Sequence, residues 1–533
     1  MRRLRDTSGA RGSSLAPRRA VSDVFPLVLL GMALIYSDAR FTFLDDEALT
    51  LSAAARPFRA ILGSFRFGAG LPGHPPLYDL LLHVWLLLTG GAADWLRMPS
   101  IVLFLAGLWF LSRAARRVGG EESGTALVWL SALWPYGFHV GRLVGWYSLA
   151  FLLISALTWA YLRHAAGASR RNWAVVCLLA LALVYTTYLG WMFLALLGVE
   201  DWFRNRGRAR AALPRLIAGA AFLLAAYLPL WRAFATELRF AAHLHQPWRA
   251  LIFNAAYDLY VLFVSESVGP WFWNFGVPAM LAVAACLLLL IWVVRGEARR
   301  FLLYGALLLV ALAVLGMLNT RRLFLVAPWF LLPAAIALGT IHTPAWRRLM
   351  AISLAVVAWV GWYGVLFRTY YAAPQFVEPW ADMAVVAGNT VRDGGAAIIG
   401  NSPSFFLYLT YALRAPQTSG PWRFAGILPS DVRYPQIWSP EDWQAAGRPI
   451  QPAVLWIEGL PASAATDAAG TWLDQHCGDR IDRHMVRDPG YPWKQRFLAD
   501  PAAAPWQIET RQYSCGENSA GPPADAVAPS APR

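Results

Sequence analysis

Long apolar runs occupy the first two thirds of the chain, and short groups of arginines separate them. A helix that crosses a bilayer needs about 20 mostly apolar residues, and the longer runs approach that length. We therefore predict about eleven transmembrane helices. They fall at residues 21–36, 97–112, 123–138, 146–162, 173–186, 188–199, 214–232, 276–295, 300–318, 323–341 and 349–367.

The arginine groups predict how these helices are oriented. Arginine clusters mark cytoplasmic loops, so the basic leader 1–20 is expected inside and the first run is expected to be an uncleaved anchor. An odd number of crossings then places the carboxyl terminus on the opposite side. If the run 75–88 crossed the membrane, every later arginine cluster would lie outside the cytoplasm. We therefore interpret this run as a re-entrant or interfacial helix. The groups are Arg2, Arg3, Arg5, Arg18 and Arg19; Arg113, Arg116 and Arg117; Arg163, Arg170 and Arg171; Arg204, Arg206, Arg208 and Arg210; Arg295, Arg299 and Arg300; Arg347 and Arg348.

The pattern predicts an all-α polytopic membrane domain over 21–367, with long extracytoplasmic loops at 37–96 and 233–275. Residues 368–515 are less apolar and contain β-like runs, including 396–399 and 453–457, which predict a small extracytoplasmic α/β domain. The tail 516–533 is rich in Pro, Ala and Gly and is expected to be disordered. An extracytoplasmic location would permit a disulfide between Cys477 and Cys515, although their spacing leaves the pairing open.

Composition supports the membrane assignment and narrows the function. The 533 residues are 57% hydrophobic and 15% charged, whereas soluble domains carry about 25% charged residues. The net charge of +14 is divided among the groups between apolar runs. It therefore sets topology rather than forming a nucleic-acid-binding face, and membrane lipids are the expected partners. A polytopic protein of the bacterial inner membrane is the resulting prediction.

Three consecutive carboxylates, Asp45, Asp46 and Glu47, follow the first apolar run. Carboxylates near an apolar surface are costly to desolvate, and their proximity raises carboxylate pKa values toward those of a general base. The alternative is a solvated loop in which Asp45 caps the next helix.

Three other sites carry polar residues beside apolar runs. The run 75–88 begins with Pro75 and Pro76, and proline favours the first turn of a helix. His74 precedes this run, and Leu77 and Tyr78 follow the two prolines. The segment 134–147 places His139, Arg142 and Tyr147 at an outer turn, and Arg321 and Arg322 precede the run 323–341. Outer-face arginines oppose the positive-inside trend and suggest a lipid-phosphate ligand, although interfacial snorkelling is the alternative. A structural role for His74 is likewise left open.

These motifs, in this order, resemble the GT-C glycosyltransferases. The resemblance covers about residues 20–400 and is to the bacterial branch related to protein O-mannosyltransferases, aminoarabinose transferases and Rgt-type galacturonosyltransferases. Asp46-Glu47 and His74-Pro-Pro-Leu-Tyr78 carry it most clearly. It implies a GT-C fold with a cavity at the extracytoplasmic surface. It also implies inverting transfer of a sugar from a polyprenyl-phosphate donor to a hydroxyl of a lipid, glycan or protein acceptor.

The resemblance and the residue chemistry together suggest a role for each group. Asp46 is expected to be the general base, positioned by Glu47 or Asp45. Arg321 or Arg322, together with Arg142, would hold the donor phosphate, while His74, Tyr78 and Tyr147 would bind substrate. No nucleotide cofactor and no metal ligand is signalled, and a divalent metal at the carboxylates is left open. Rival functions are a transporter or flippase of lipid-linked sugars and a non-catalytic GT-C-like assembly partner.

The topology can be tested with a reporter that is active only outside the cytoplasm. A fusion near Gly420 should be active and a fusion near Gly207 inactive, because an odd number of predicted crossings separates the two positions. Activity at both positions, or the reverse pattern, would overturn the eleven-crossing prediction.

Overall fold

The architecture was obtained as a computed structural model of the chain. It describes residues 16–37, 43–67, 74–167, 169–206, 209–242, 248–341, 343–368, 370–372, 380–399, 437–438, 440–449, 453–458, 464–487 and 507–515. Most of the leader 1–20, the tail 516–533 and the position Gly420 lie outside these residues.

Helices form nearly all of the first two thirds of the molecule. The helices up to the carboxyl-terminal segment are α1 (Ala16–Ser37), α2 (Asp45–Ala54), α3 (Phe58–Phe67), α4 (Leu77–Thr89), α5 (Met98–Gly119), α6 (Glu121–Ala132), α7 (Pro135–Val140), α8 (Trp146–Ala166), α9 (Arg170–Val184), α10 (Gly190–Asn205), α11 (Ala209–Tyr227), α12 (Trp231–Ala242), α13 (Trp248–Val264), α14 (Trp273–Val293), α15 (Gly296–Val314), α16 (Leu323–Val326), α17 (Pro328–Thr340) and α18 (Pro344–Phe367).

Within the described residues, five helical stretches are long and apolar enough to cross a membrane. They are Met98–Gly119, Trp146–Ala166, Leu213–Arg239, Trp273–Val293 and Pro344–Phe367. Each of the eleven predicted runs coincides with helix, and several of these helices are shorter than a full crossing. The chain is therefore a helical membrane protein, while the count of eleven crossings stays a prediction.

Proline breaks two of the predicted runs. The run 123–138 is divided into α6 and α7, since Pro135 begins α7 one residue after the extended Trp134. The run 323–341 is divided in the same way before Pro328, which begins α17. Proline lacks the N–H that would continue a preceding helix, so it marks the start of a new one.

The two segments predicted as long loops are largely helical. Segment 37–96 contains α2, α3 and α4, and segment 233–275 contains most of α12 and all of α13. The run 75–88 forms α4, whose 13 residues are too few to span a bilayer when perpendicular to it. Tertiary packing and an apolar environment stabilise such short helices, so their length and hydropathy alone do not predict them.

An aromatic cluster packs α16 against α5 and α8. The Phe324 ring of α16 lies 4.7 Å from Phe151 of α8 and 5.4 Å from Phe104 of α5, measured between centroids. It also stacks on Trp134, at 5.9 Å. Helix α16 is therefore packed against α5, α8 and the residue that precedes α7.

The carboxyl-terminal segment is a mixed sheet with helices. Strands β1 (Ala396–Ile399), β2 (Ile437–Trp438) and β3 (Ala453–Glu458) are parallel, whereas β4 (Gly478–Arg487) and β5 (Gln507–Ser514) are antiparallel. The order across the sheet is β2-β1-β3-β5-β4. Helices α19 (Trp380–Arg392), α20 (Pro440–Ala445) and α21 (Ala464–His476) accompany the strands. Both predicted β-like runs are therefore strands, and a separate small core forms around Trp443, Leu473 and Tyr513.

The pairing of the two carboxyl-terminal cysteines, which their spacing left open, is present in the structure. Cys477 follows α21, Cys515 follows β5, and a disulfide joins them with their Cα atoms 4.4 Å apart. Cys177 and Cys286 are free thiols within the helical region.

Mass mapping of the unreduced protein should find one peptide that links Cys477 to Cys515, because an oxidising compartment stabilises a disulfide of this kind. The other two cysteines provide the internal control, since both should be alkylated once the protein is unfolded without reductant. Alkylation of all four cysteines in unreduced protein would contradict the disulfide.

Candidate active site

Asp46 presents the most accessible carboxylate of the predicted site. It lies in the first turn of α2, where unpaired backbone N–H groups favour a negative charge. Its side chain is 49% exposed. The carboxylate pairs with the Arg321 guanidinium and accepts a hydrogen bond from the Tyr147 hydroxyl at 3.4 Å. Three segments distant in sequence therefore meet at one exposed oxygen.

Glu47, the next residue, is buried instead of exposed. Its side chain is 1% exposed, and both oxygens accept two hydrogen bonds each. Arg97 donates from Nε to Oε1 at 2.9 Å and from Nη2 to Oε2 at 2.7 Å. The backbone N–H groups of Val144 and Leu44 complete the set at 2.8 and 2.9 Å. Each oxygen of Glu47 therefore has two donors, and the carboxylate is held in the core.

The capping interpretation of the carboxylates through Asp45 is wrong. Helix α2 begins at Asp45, its N-cap residue is Leu44, and the carboxylate that accepts the cap N–H belongs to Glu47. The side chain of Asp45 lies outside the described part of the chain.

Arg97 is the functional residue that the sequence reasoning missed. It is buried, it immediately precedes α5, and its guanidinium lies 4.2 Å from the centre of the Phe43 ring. The signal was present, because an arginine at the outer end of an apolar run is the feature that singled out Arg321. Nothing local to Arg97 indicated Glu47 as its partner, since 50 residues separate the two.

The two neighbouring arginines have different contacts. Arg321 reaches Asp46, whereas Arg322 donates from Nη1 to the Met317 carbonyl at 2.9 Å. The Tyr136 hydroxyl supports this loop by donating to the Thr320 carbonyl at 2.6 Å. Arg321 therefore contacts the Asp46 carboxylate, and Arg322 bonds to the backbone of its own loop.

His74 and Tyr78 lie on the other side of Trp146. The His74 ring is 6.3 Å from the Trp146 ring, and its Nε2 is 3.7 Å from the buried Asp79 carboxylate. Tyr78 is wholly buried, and its hydroxyl is 2.7 Å from Ser100 Oγ. His74 remains partly accessible to a ligand, while Tyr78 packs beneath the site.

Arg142 and His139 are buried behind Tyr147. The Arg142 guanidinium lies 5.1 Å from the centre of the Phe138 ring, and its Nη1 is 3.4 Å from Ser37 Oγ. His139 bridges Ser265 Oγ at 2.5 Å and the Tyr371 hydroxyl at 2.7 Å. Both Arg142 and His139 are 1% exposed or less.

Among the described residues, no group of three or more His, Cys, Asp or Glu side chains is arranged to hold a metal ion. The groups near Asp46 are its carboxylate, the Arg321 guanidinium, the buried Tyr147 phenol and the partly exposed His74 imidazole. This set can accept a proton and bind an anionic oxygen at neighbouring points.

Comparison with solved structures identifies the fold. ArnT from Cupriavidus metallidurans bound to undecaprenyl phosphate superposes with a TM-score of 0.55, covering 96% of this chain and 100% of that chain at 14% identity. Its apo structure gives 0.54 with the same coverage and identity. The chain has the fold of ArnT, a GT-C membrane glycosyltransferase. The GT-C resemblance predicted from the sequence motifs is thereby confirmed at the level of the fold.

A more distant likeness is to the archaeal oligosaccharyltransferase AglB from Archaeoglobus fulgidus, in complex with an inhibitory peptide and a dolichol-phosphate. The TM-score is 0.43 at 13% identity, covering 77% of this chain and 62% of that chain. No family model and no curated protein sequence matches the chain.

The ion pair beneath the site predicts a large effect of Arg97→Ala. The substitution leaves the Glu47 carboxylate buried without its cation, a change that typically costs about 3–5 kcal/mol. A clear fall in the midpoint of thermal unfolding of the purified protein is expected. Arg113→Ala, on the exposed surface of the same helix, is the control and should change the midpoint little.

A double variant separates loss of charge balance from loss of packing. Arg97→Met combined with Glu47→Leu removes both charges and should be less destabilised than Arg97→Ala. Equal midpoints for Arg97→Ala and wild type would contradict a structural role for the pair.

Proposed function

We propose that this protein is an inverting glycosyltransferase that moves a sugar from a polyprenyl-phosphate donor to an acceptor hydroxyl at the extracytoplasmic membrane surface. The observation that carries the proposal is the contact between Asp46 and Arg321. In this contact a half-exposed carboxylate lies beside a guanidinium cation. The shared fold with ArnT supports the same class of reaction.

The two side chains suit the two ends of a single displacement. The acceptor oxygen attacks the anomeric carbon as the bond from that carbon to the phosphate oxygen breaks. The phosphate leaves with the electron pair, and the proton of the acceptor hydroxyl passes to Asp46. Charge therefore accumulates on the leaving phosphate, where Arg321 can stabilise it.

Arg321 is well suited to connect the two events. A guanidinium has five N–H donors in a planar fork, so one edge can face Asp46 while another binds a phosphate oxygen. Binding of the donor would then draw Arg321 toward the phosphate and expose the Asp46 oxygen to the acceptor. Tyr147 and His74 border the space in which the sugar would lie.

The positioning of Asp46 is the remaining requirement. General-base catalysis depends on hydrogen-bond reach to the proton that is removed. The hydrogen bonds of Glu47 to Arg97, Leu44 and Val144 fix the first turn of α2. Asp46 is the adjacent residue on that turn, so the helix rather than a loop would fix the position of its carboxylate.

Asp46→Asn tests the proposed base, because the amide keeps the side-chain volume and cannot accept the proton near neutral pH. Sugar transfer by purified protein in nanodiscs should fall by roughly 10²–10⁴-fold, the usual contribution of general-base catalysis. Donor binding, measured separately with a panel of polyprenyl-phosphate sugars, should be largely retained.

Asp94→Asn provides the matched control, since Asp94 is an exposed aspartate of the same segment. It should transfer sugar at the wild-type rate. Arg321→Ala should instead weaken donor binding, as a charge-assisted hydrogen bond is worth about 1.5–3 kcal/mol. Near-wild-type transfer by Asp46→Asn would reject Asp46 as the base, and substrate translocation without transfer by the wild type would indicate a transporter.

A further inference from the structure

An apolar cavity lies at the opposite end of the helical bundle from Asp46. It has a volume of about 780 Å³ and is lined by residues of α8, α9, α10 and α11. Its walls are mainly apolar and include Val176, Leu197 and Leu223. A volume of several hundred cubic ångströms is typical of cavities that hold a drug-sized apolar molecule.

The length of α8 separates the two sites. Tyr147 is in the first turn of α8, whereas Tyr161, which lines the cavity, and His164 are near its last turn. A rise of 1.5 Å per residue puts Tyr147 and His164 about 25 Å apart along the helix axis. This distance approaches the thickness of the hydrocarbon core of a bilayer, about 30 Å. The cavity is therefore not part of the candidate active site.

The cavity is open on the side that faces away from the bundle. Among the residues that line it, Ala195, Val199 and Ala220 are exposed. These three side chains are apolar and lie on helices assigned to the membrane. An apolar chain could therefore enter from the surrounding lipid without crossing polar groups.

One end of the cavity carries buried polar groups that have no partner in the described part of the chain. Tyr161 and His164 are each 2% exposed, and neither the Tyr161 hydroxyl nor either ring nitrogen of His164 makes a hydrogen bond there. A buried polar group without a partner is unfavourable, so a ligand that supplied a partner would bind favourably. Tyr161 lines the cavity itself.

Trp173 connects these groups to a cation. Its ring, which also lines the cavity, lies 5.3 Å from the His164 ring and 5.1 Å from the Arg215 guanidinium. Arg215 donates from Nη2 to Asp201 at 2.8 Å, while its Nε has no partner among the described residues. A further donor is thus left at the same end of the cavity.

Exposed arginines surround this end. They occupy the last turn of α8, the first turn of α9 and the C-cap of α10. They are Arg163, Arg170, Arg171 and Arg206.

The nearby carboxylates do not neutralise these arginines. Glu200 is buried and pairs with Arg204 at 3.3 Å and with Arg300 at 2.8 Å. Asp201 is likewise engaged by Arg215. The arginines at the rim therefore remain as a positive surface beside an apolar cavity.

We propose that this cavity binds one anionic phospholipid, with an acyl chain between α9, α10 and α11 and the phosphate at the arginine rim. The Tyr161 hydroxyl, which lines the cavity, would donate to a phosphate or ester oxygen. Basic pockets between membrane helices are suited to anionic headgroups, because nearby arginines attract the negative charge. The apolar walls select a lipid over a soluble phosphate, which would leave the cavity empty.

Gly198 offers a direct way to fill the cavity. It lies on α10 and lines the cavity, and a Cβ atom built on it would meet nothing within 4 Å. Gly198→Leu should therefore occupy the space of the acyl chain without a clash. Gly198→Ala is the matched control, because it makes a similar change in helix propensity and fills little volume.

The test uses full-length protein exchanged into bilayers that contain equal amounts of palmitoyl-oleoyl phosphatidylglycerol and phosphatidylcholine. Native mass spectrometry then counts retained lipids. Wild type and Gly198→Ala should retain one phosphatidylglycerol, with a preference over phosphatidylcholine on the order of tenfold. Gly198→Leu should lose this lipid.

Two further variants examine the polar end. Tyr161→Phe should weaken retention several-fold without lowering the thermal midpoint, because the hydroxyl it removes has no partner among the described residues. Arg170→Gln with Arg171→Gln should abolish the headgroup preference. Arg347→Gln with Arg348→Gln, which changes two exposed arginines on α18, should leave it unchanged.

The proposal fails if Gly198→Leu retains phosphatidylglycerol as well as wild type does, or if the two lipids are retained equally. It also fails if an excess of inorganic phosphate displaces the lipid, since the site would then recognise phosphate alone. Should Gly198→Leu not fold, the Tyr161 and arginine variants decide the matter by the same measurement.

Discussion

The buried contact of Glu47 with Arg97 is the interaction on which the candidate active site depends. A carboxylate and a guanidinium removed from water are each expensive, and their pairing is stable only when the remaining donors and acceptors are also satisfied. Here Leu44 and Val144 supply the missing donors from the backbone. The carboxylate thereby connects the start of α2, the start of α5 and the turn before α8. Every accessible group of the site lies on one of these segments or packs against them.

This arrangement explains how neighbouring acidic residues acquire different roles. In an α-helix, successive side chains point about 100° apart, so Asp46 and Glu47 cannot face the same environment. Glu47 turns toward the core and becomes fully bonded, while Asp46 turns toward the surface and meets Arg321. A similar division separates Arg321 from Arg322. In each pair, one residue bonds within the local structure and its neighbour takes part in the contact between Asp46 and Arg321.

Helix α8 relates the two proposed sites of the molecule. Its first turn supplies Tyr147 to the carboxylate site, and its last turns supply Tyr161 and His164 to the apolar cavity. The two ends differ in a way that suits their proposed ligands. At the Asp46 end a carboxylate lies beside a guanidinium, whereas at the other end arginines surround an apolar cavity. A lipid bound there would pack the gap between α9 and α11 and support the end of the bundle farthest from Asp46.

Sequence alone determined the membrane class, the positions of the helical runs, two strands of the sheet and the GT-C resemblance. Those features depend on local hydropathy and on short motifs such as Asp46-Glu47, which can be read without knowing the fold. The motifs also singled out Asp46, Tyr147 and Arg321. Only the tertiary structure decided that these three meet, because Asp46 and Arg321 are 275 positions apart in the sequence.

The same limit explains the residues that were misassigned or missed. Arg97 carried a local signal, but its partner could not be inferred across the intervening chain. Asp45 was the better N-cap by residue preference, yet the buried Glu47 carboxylate took the cap N–H because it was already held by Arg97. The short helices of segments 37–96 and 233–275 were likewise hidden, since packing rather than length stabilises them. Sequence patterns report local preference, whereas a site is formed by contacts between distant segments, and those exist only after the chain has folded.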